Sequence, residues 1–280
     1  MQRHCIHRAG NIWGAFATFS FGFILLAAGS LRVKAACTTC DTYQTGVVWG
    51  TTAVNALKEA SGIAASRRND GVLWVHNDGS RERAYAFKYS GELLATFDFK
   101  NNVEDLEDIA IGPGPNAGTN YLYIGDIGGS AGTNTVRDSV QILRIPEPAV
   151  DPAWGADPLS LNFKDVEIFT LTYPDGSFDA ETLMIDPVTG DVLIVTKQPT
   201  TSRVYRANLN AVTSGSTVAL EFVVSVPFSN PSAGDISADG TQIILRREDA
   251  AAIWGALQQR IHQRGAGEGG RAGAGYWDAE

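Results

Sequence analysis

From about residue 50 onward the chain alternates short runs of β-branched and aromatic residues with Gly, Asp, Asn and Pro, and helical spacing is nearly absent. Runs of this length between turn residues predict strands. They include Val72-Leu73-Trp74-Val75, Tyr121-Leu122-Tyr123-Ile124, Asp191-Val192-Leu193-Ile194-Val195 and Gln242-Ile243-Ile244-Leu245. Each is preceded by an opening that carries acids: Glu59 before Ile63, Asp105-Leu106-Glu107-Asp108 before Ile109, Asp179-Ala180-Glu181 before Leu183, and Asp235 before Ile236.

Ile63, Ile109, Leu183 and Ile236 thus hold equivalent positions, 46, 74 and 53 residues apart. A period near 40–50 residues with about four strands per unit predicts the blades of a β-propeller. One blade cannot bury both its faces, so blades must stack around an axis. A β-sandwich also has many short strands, but it does not predict the repeated acidic opening. The long interval is attributed to an insertion, Pro146 to Asp165, whose Pro-Glu-Pro and Asp-Pro pairs cannot sit inside a sheet and are expected on the surface. Thr45 to Thr51 precedes the first repeat and is the segment available to close the ring. The expected layout is a leader at 1–35, an N-terminal segment at 36–54, blades at 55–255 and an irregular Gly-rich tail at 256–280. A six-bladed ring needs more chain than follows Trp254, so the tail reads as a broken end of an incomplete ring.

Composition agrees with a folded body, since 44% of residues are hydrophobic and 19% charged. Residues 1–35 contain Arg3, Arg8, Arg32 and Lys34 and no acid, so the remainder is more acidic than the chain's net charge of −9. Such a body repels phosphates, and no cluster of Lys and Arg with interleaved aromatics offsets this, which argues against nucleic acid as a partner.

The chain opens with a short basic stretch and continues with an apolar run from about Ile12 to Ala28, the two parts of a secretory leader. Val33-Lys34-Ala35 predicts cleavage after Ala35, with a secreted or periplasmic mature protein free of the membrane. An uncleaved anchor and a lipidated Cys37 are the rival readings. In an oxidising compartment Cys37 and Cys40 are expected to form one small disulfide.

In a propeller the first strand of each blade lines the central channel, so its acids gather in space. Glu59, Asp105, Glu107, Asp179 and Glu181 are therefore the candidate metal ligands, with Asp108 and Asp235 beside them. Crowded carboxylates need a hard cation or raised pKa values, and calcium is the expected ion. The alternative is that these acids cap turns. At the end of the second strand Asn77, Asp126, Lys197 and Arg247 are aligned as a rim that either faces a ligand or is an ordinary solvated edge. His76 is expected to pack or hydrogen-bond near a blade edge, the alternative being that the run His76-Asn77-Asp78 adds ligands to a metal. Gly128 to Gly132 matches G-x-S-x-G, but no helix follows the serine, so the run reads as a turn.

The openings at 59–66 and 105–114, with His76-Asn77-Asp78 and 121–128, resemble exported bacterial six-bladed propellers without an assigned activity. Gly234-Asp235-Ile236-Ser237-Ala238-Asp239-Gly240 looks like the blade signature of TolB-like propellers. A weaker likeness links the chain to β-propeller phytases and the gluconolactonase and regucalcin group, whose acids around the axis hold a divalent ion. None of their catalytic motifs matches here residue for residue. Two functions stay open: a binding or scaffold propeller taking a small molecule, glycan or protein at the channel, and a calcium-dependent hydrolase of a phosphoester or lactone.

Overall fold

The computed structural model describes residues 47–52, 54–55, 57–78, 83–129 and 135–255. The leader, Cys37, Cys40 and the tail lie outside them. The described residues form 17 strands and one 3-10 turn in four sheets, and no helix among them is long and apolar enough to cross a membrane.

The first sheet is a meander of β1 (Ala60–Ala65), β2 (Val72–Asn77), β3 (Arg83–Lys88) and β4 (Leu93–Asp98). The second holds β5 (Leu106–Pro113), β6 (Asn120–Asp126) and β7 (Ser139–Pro146), and is joined, after an excursion containing β8 (Leu159–Asn162), by β9 (Glu167–Thr172). The third holds β10 (Ala180–Ile185), β11 (Asp191–Thr196) and β12 (Ser202–Asn208), then, past β13 (Thr217–Ala219), β14 (Glu221–Val226). The fourth has β15 (Ala233–Ile236), β16 (Gln242–Arg247) and β17 (Ala250–Gly255). The first strands β1, β5, β10 and β15 pack against one another in that order. Antiparallel sheets stacked through their first strands are the blades of a β-propeller, as the repeat predicted.

Packing explains why the middle strands read as continuous apolar runs rather than alternating ones. Tyr121 and Tyr123 of β6 join Val140, Ile142, Leu183 and Ile194 in the layer between the second and third blades. Leu122 and Ile124 of the same strand face the other way, into the layer with Trp74, Phe97 and Ile109 of the first interface. Likewise Leu193 and Val195 of β11 pack with Ile236, Ile243 and Trp254 of the fourth sheet. A strand buried on both faces has no solvated side to keep polar.

The Pro146 to Asp165 insertion is not merely a surface excursion. Its β8 pairs in parallel with β4, adding a fifth strand to the preceding blade, and Phe163 stacks on Phe97 with ring centroids 5.0 Å apart. The third blade repeats the device, because β13 pairs in parallel with β9 of the second. Sequence periodicity missed both clasps because each strand belongs to one repeat in the chain and to another in space. Residues 47–52 form no strand; Trp49 meets the edge of Tyr89 at 6.0 Å, and the backbone at Gly50 and Thr51 touches the turn at Ser90 and Gly91 of the first blade.

Candidate functional site

The three complete blades share a bulge at one place in their first strand. The pairing register shifts between Ala60 and Ile63, between Leu106 and Asp108, and between Ala180 and Thr182. Glu107 and Glu181 are therefore bulge residues, and a bulge re-aims its side chain away from the regular pleat. At the matching place in the first blade Ser61 donates its hydroxyl to the Glu107 carbonyl, tying the two blades. The fourth sheet pairs without a shift from Ala233 to Ile236.

This geometry gathers some of the predicted acids. Ligand oxygens of Asp78, Asp105 and Glu107 all lie within 4.8 Å of one another. Glu107 is only 7% exposed, whereas Asp78 is open to solvent and Asp105 half-buried. Burial, then the charges of Asp78, Glu181, Asp105 and Asp179, push the Glu107 carboxyl up to about 9. Burial and Asp78 push Asp105 up to about 6 against the pull of Arg137. Gly128 makes the approach of these groups feasible, because a Cβ there would lie 2.4 Å from Asp105 Oδ2 and 2.5 Å from Glu107 Oε1.

Asp179 and Glu181 flank the group and act on it through charge. Burial raises both, while Lys197 draws each back. Lys197 donates to Glu181 Oε1 in a close ion pair, so Glu181 already has a cation. Glu59 is exposed and is not one of the three converging residues. Asp108 takes another role: it is buried, and it accepts the amides of Ile109 and Leu183, each at 2.9 Å, which pins the second blade to the third. Asp235 accepts the Ile236 amide in the same manner at 2.8 Å.

Strand pairing splits the predicted rim into two registers. Asn77 stands opposite Ala60 and Asp126 opposite Leu106, but the corresponding partner of Ala180 is Thr196, one residue before Lys197. Likewise Arg246, not Arg247, pairs with Ala233. Asn77 and Asp126 do equivalent work: the Asn77 side chain accepts the amides of Lys58 and Glu59, and the Asp126 carboxylate accepts those of Glu104 and Asp105. Each holds the chain's entry into its blade. Lys197 instead matches Asp78, since Lys197 donates its amide to the Asp179 carbonyl as Asp78 does to that of Glu59. Arg247 binds Asp249 and Ser229 away from this group.

Two contributors escaped the sequence reading. Arg137 sends its guanidinium to the carbonyls of Gly128 and Asp126 and to Asp126 Oδ1, all within 2.9 Å, and so fixes the backbone beside the carboxylates. Gly128 looked like half of a Gly-Ser turn; its closeness to two acids gives it a purpose that only the folded chain reveals. His76 is fully buried, with Nδ1 2.7 Å from the Asn77 carbonyl, and burial lowers it to about 4. Its Nε2 packs against Gly62, so His76 is a neutral interior group rather than a ligand of the three acids.

No protein-family model matches the chain, and no curated protein matches it. Among solved structures it is similar to the Dos1 propeller, at 12% identity and a TM-score of 0.35, covering 70% of this chain and 44% of that one. It is also similar to an auxiliary nutrient binding protein from Bacteroides thetaiotaomicron, at 9% identity and a TM-score of 0.39, covering 68% and 36%. A third likeness is to the complex of KlAtg21 with the coiled-coil of AgAtg16, at 13% identity and a TM-score of 0.35, covering 67% and 50%. The chain spans half or less of the length of these structures. Strand order and blade packing make the chain a β-propeller.

Proposed function

We propose that the protein is an exported binding propeller whose acidic group beside the first strands receives the positive part of a ligand or partner. The observation that carries this reading is the convergence of Asp78, Asp105 and Glu107, three carboxyls so crowded that burial and acidic neighbours push Glu107 up to about 9, with no ion pair to any of the three among the described residues. Carboxylates held together in this way bind whatever cation relieves their repulsion. Arg137 and Lys197 sit at the flanks and are engaged with Asp126 and Glu181, which leaves the centre acidic. Export is supported by the basic and apolar leader at residues 1–28. N-terminal sequencing of secreted material is expected to begin at Ala36, and a start at Met1 contradicts export with cleavage.

A fluorescent oligo-lysine peptide tests the binding reading. It is expected to bind in low salt, to weaken as salt rises, and to lose affinity several-fold on Glu107→Gln with Asp105→Asn. Binding that ignores both substitutions overturns the reading. The calcium-dependent hydrolase reading draws on the same carboxylates for its ion. It is to be judged by turnover of a phosphoester and a lactone with and without calcium.

A further inference from the structure

We propose that Asp78, Asp105 and Glu107 form a binding site for one divalent cation of the calcium class, a proposal that rests on the binding role assigned to this group. Calcium–oxygen distances are about 2.3–2.6 Å, so two oxygens on opposite sides of one ion stand about 4.8 Å apart. All three residues offer oxygens within that span. An ion can therefore be shared by the three without moving a strand.

A second observation concerns Glu107 itself. The residue is 7% exposed, yet no hydrogen bond or ion pair to its carboxyl exists among the described residues. Each of the other deeply buried acids accepts at least two hydrogen bonds: Asp108 from two amides, Asp126 from two amides and Arg137, Asp186 from the amides of Val188 and Thr189, and Glu147, through Oε1, from the Trp74 indole and the Ser66 hydroxyl. A buried carboxyl without a partner is costly, and it is retained where something else supplies the partner. Its nearest carboxyls, Asp78 and Asp105, repel it.

The surroundings specify the ion's class. Glu107 supplies a buried oxygen on a bulge, Asp105 one beside Gly128, and Asp78 one at the solvent edge, so water can fill the remaining positions. A set made wholly of carboxylate oxygens, on loops and bulges of differing burial, suits the variable coordination of calcium better than the strict octahedron of magnesium. Gly128 leaves room that a Cβ would occupy. Glu181 is held by Lys197 and stays outside the set, and Glu59 is exposed. The predicted ligand set of Glu59, Asp105, Glu107, Asp179 and Glu181 thereby contracts to Asp105 and Glu107 and gains Asp78.

The test is titration of calcium chloride into the metal-free, full-length protein, followed by calorimetry and by the melting temperature. One equivalent is expected to bind and to raise the melting temperature. Glu107→Gln and Asp78→Asn are each expected to weaken binding at least tenfold, and Glu181→Gln less than threefold. Circular dichroism without calcium checks that each variant is folded. No calcium binding by the unaltered protein, equal loss on Glu181→Gln, or equal affinity for magnesium overturns the site. If calcium fails while the oligo-lysine peptide still binds in a Glu107-dependent way, the metal site falls and the binding role survives; if both fail, both fall.

Discussion

Glu107 and Glu181 occupy one position in adjacent blades, each the bulged residue of its first strand, yet their surroundings differ in sign. In the third blade the residue after the second strand is Lys197, which pairs with Glu181. In the first blade that residue is Asp78, and it converges on Glu107 of the second. Burial and neighbouring acids raise both glutamates, but Lys197 draws Glu181 back while no base does so for Glu107 among its leading influences. The backbone device is shared; one exchange of a base for an acid beside it separates a neutralised pair from an unrelieved cluster.

The largest effect expected on this contrast comes from the support shared by both sides. Arg137→Met removes the fork that holds the carbonyls of Gly128 and Asp126 and leaves the Asp126 carboxylate buried. Breaking such a pair costs about 3–5 kcal/mol, measurable by urea denaturation; a loss within experimental error would mean that the carboxylates hold their own backbone.

Next comes Glu107→Gln. Because the folded protein holds this proton more tightly than the unfolded chain, its stabilising contribution is complete below about 4.5 and is lost as the pH rises through about 9. At about pH 8 and without metal, Glu107→Gln is expected to raise stability by on the order of 2 kcal/mol. It should also flatten the decline of stability with rising pH. Asp105, raised to about 6, adds a smaller decline nearer neutrality. A destabilised Glu107→Gln variant would show that this carboxyl has a partner.

The smallest effect belongs to Glu181→Gln, and it is expected in the opposite direction. It strips Lys197 of its partner in a half-exposed pair, for a loss of at most about 1 kcal/mol. If both glutamine variants change stability equally and with the same sign, the two blades are not distinct in the way described.

The fold was legible in the sequence because the blades repeat acids and apolar runs at fixed offsets, and Ile63, Ile109 and Leu183 do sit opposite the matching second-strand residues. What stayed hidden depended on pairing between repeats or on single-residue shifts. The strands β8 and β13 each leave their own blade for the one before, so no period within a repeat marks them. The bulge adds one residue to the first strand, and a comparison of second-strand ends by polarity alone set Lys197 beside Asn77 when Thr196 belongs there. Asp105 and Glu107 were readable as a converging pair. That Glu181 would be neutralised, and that Asp78 would come from a different blade, required the packing of β1 against β5.

The most direct measurement is a site-resolved carbon-13 titration of the Glu107 and Glu181 carboxyls in the metal-free protein, followed by nuclear magnetic resonance. Glu107 is expected to remain protonated at neutral pH and to titrate near 9, after Glu181. Titration of both together in the ordinary carboxylate range would contradict this.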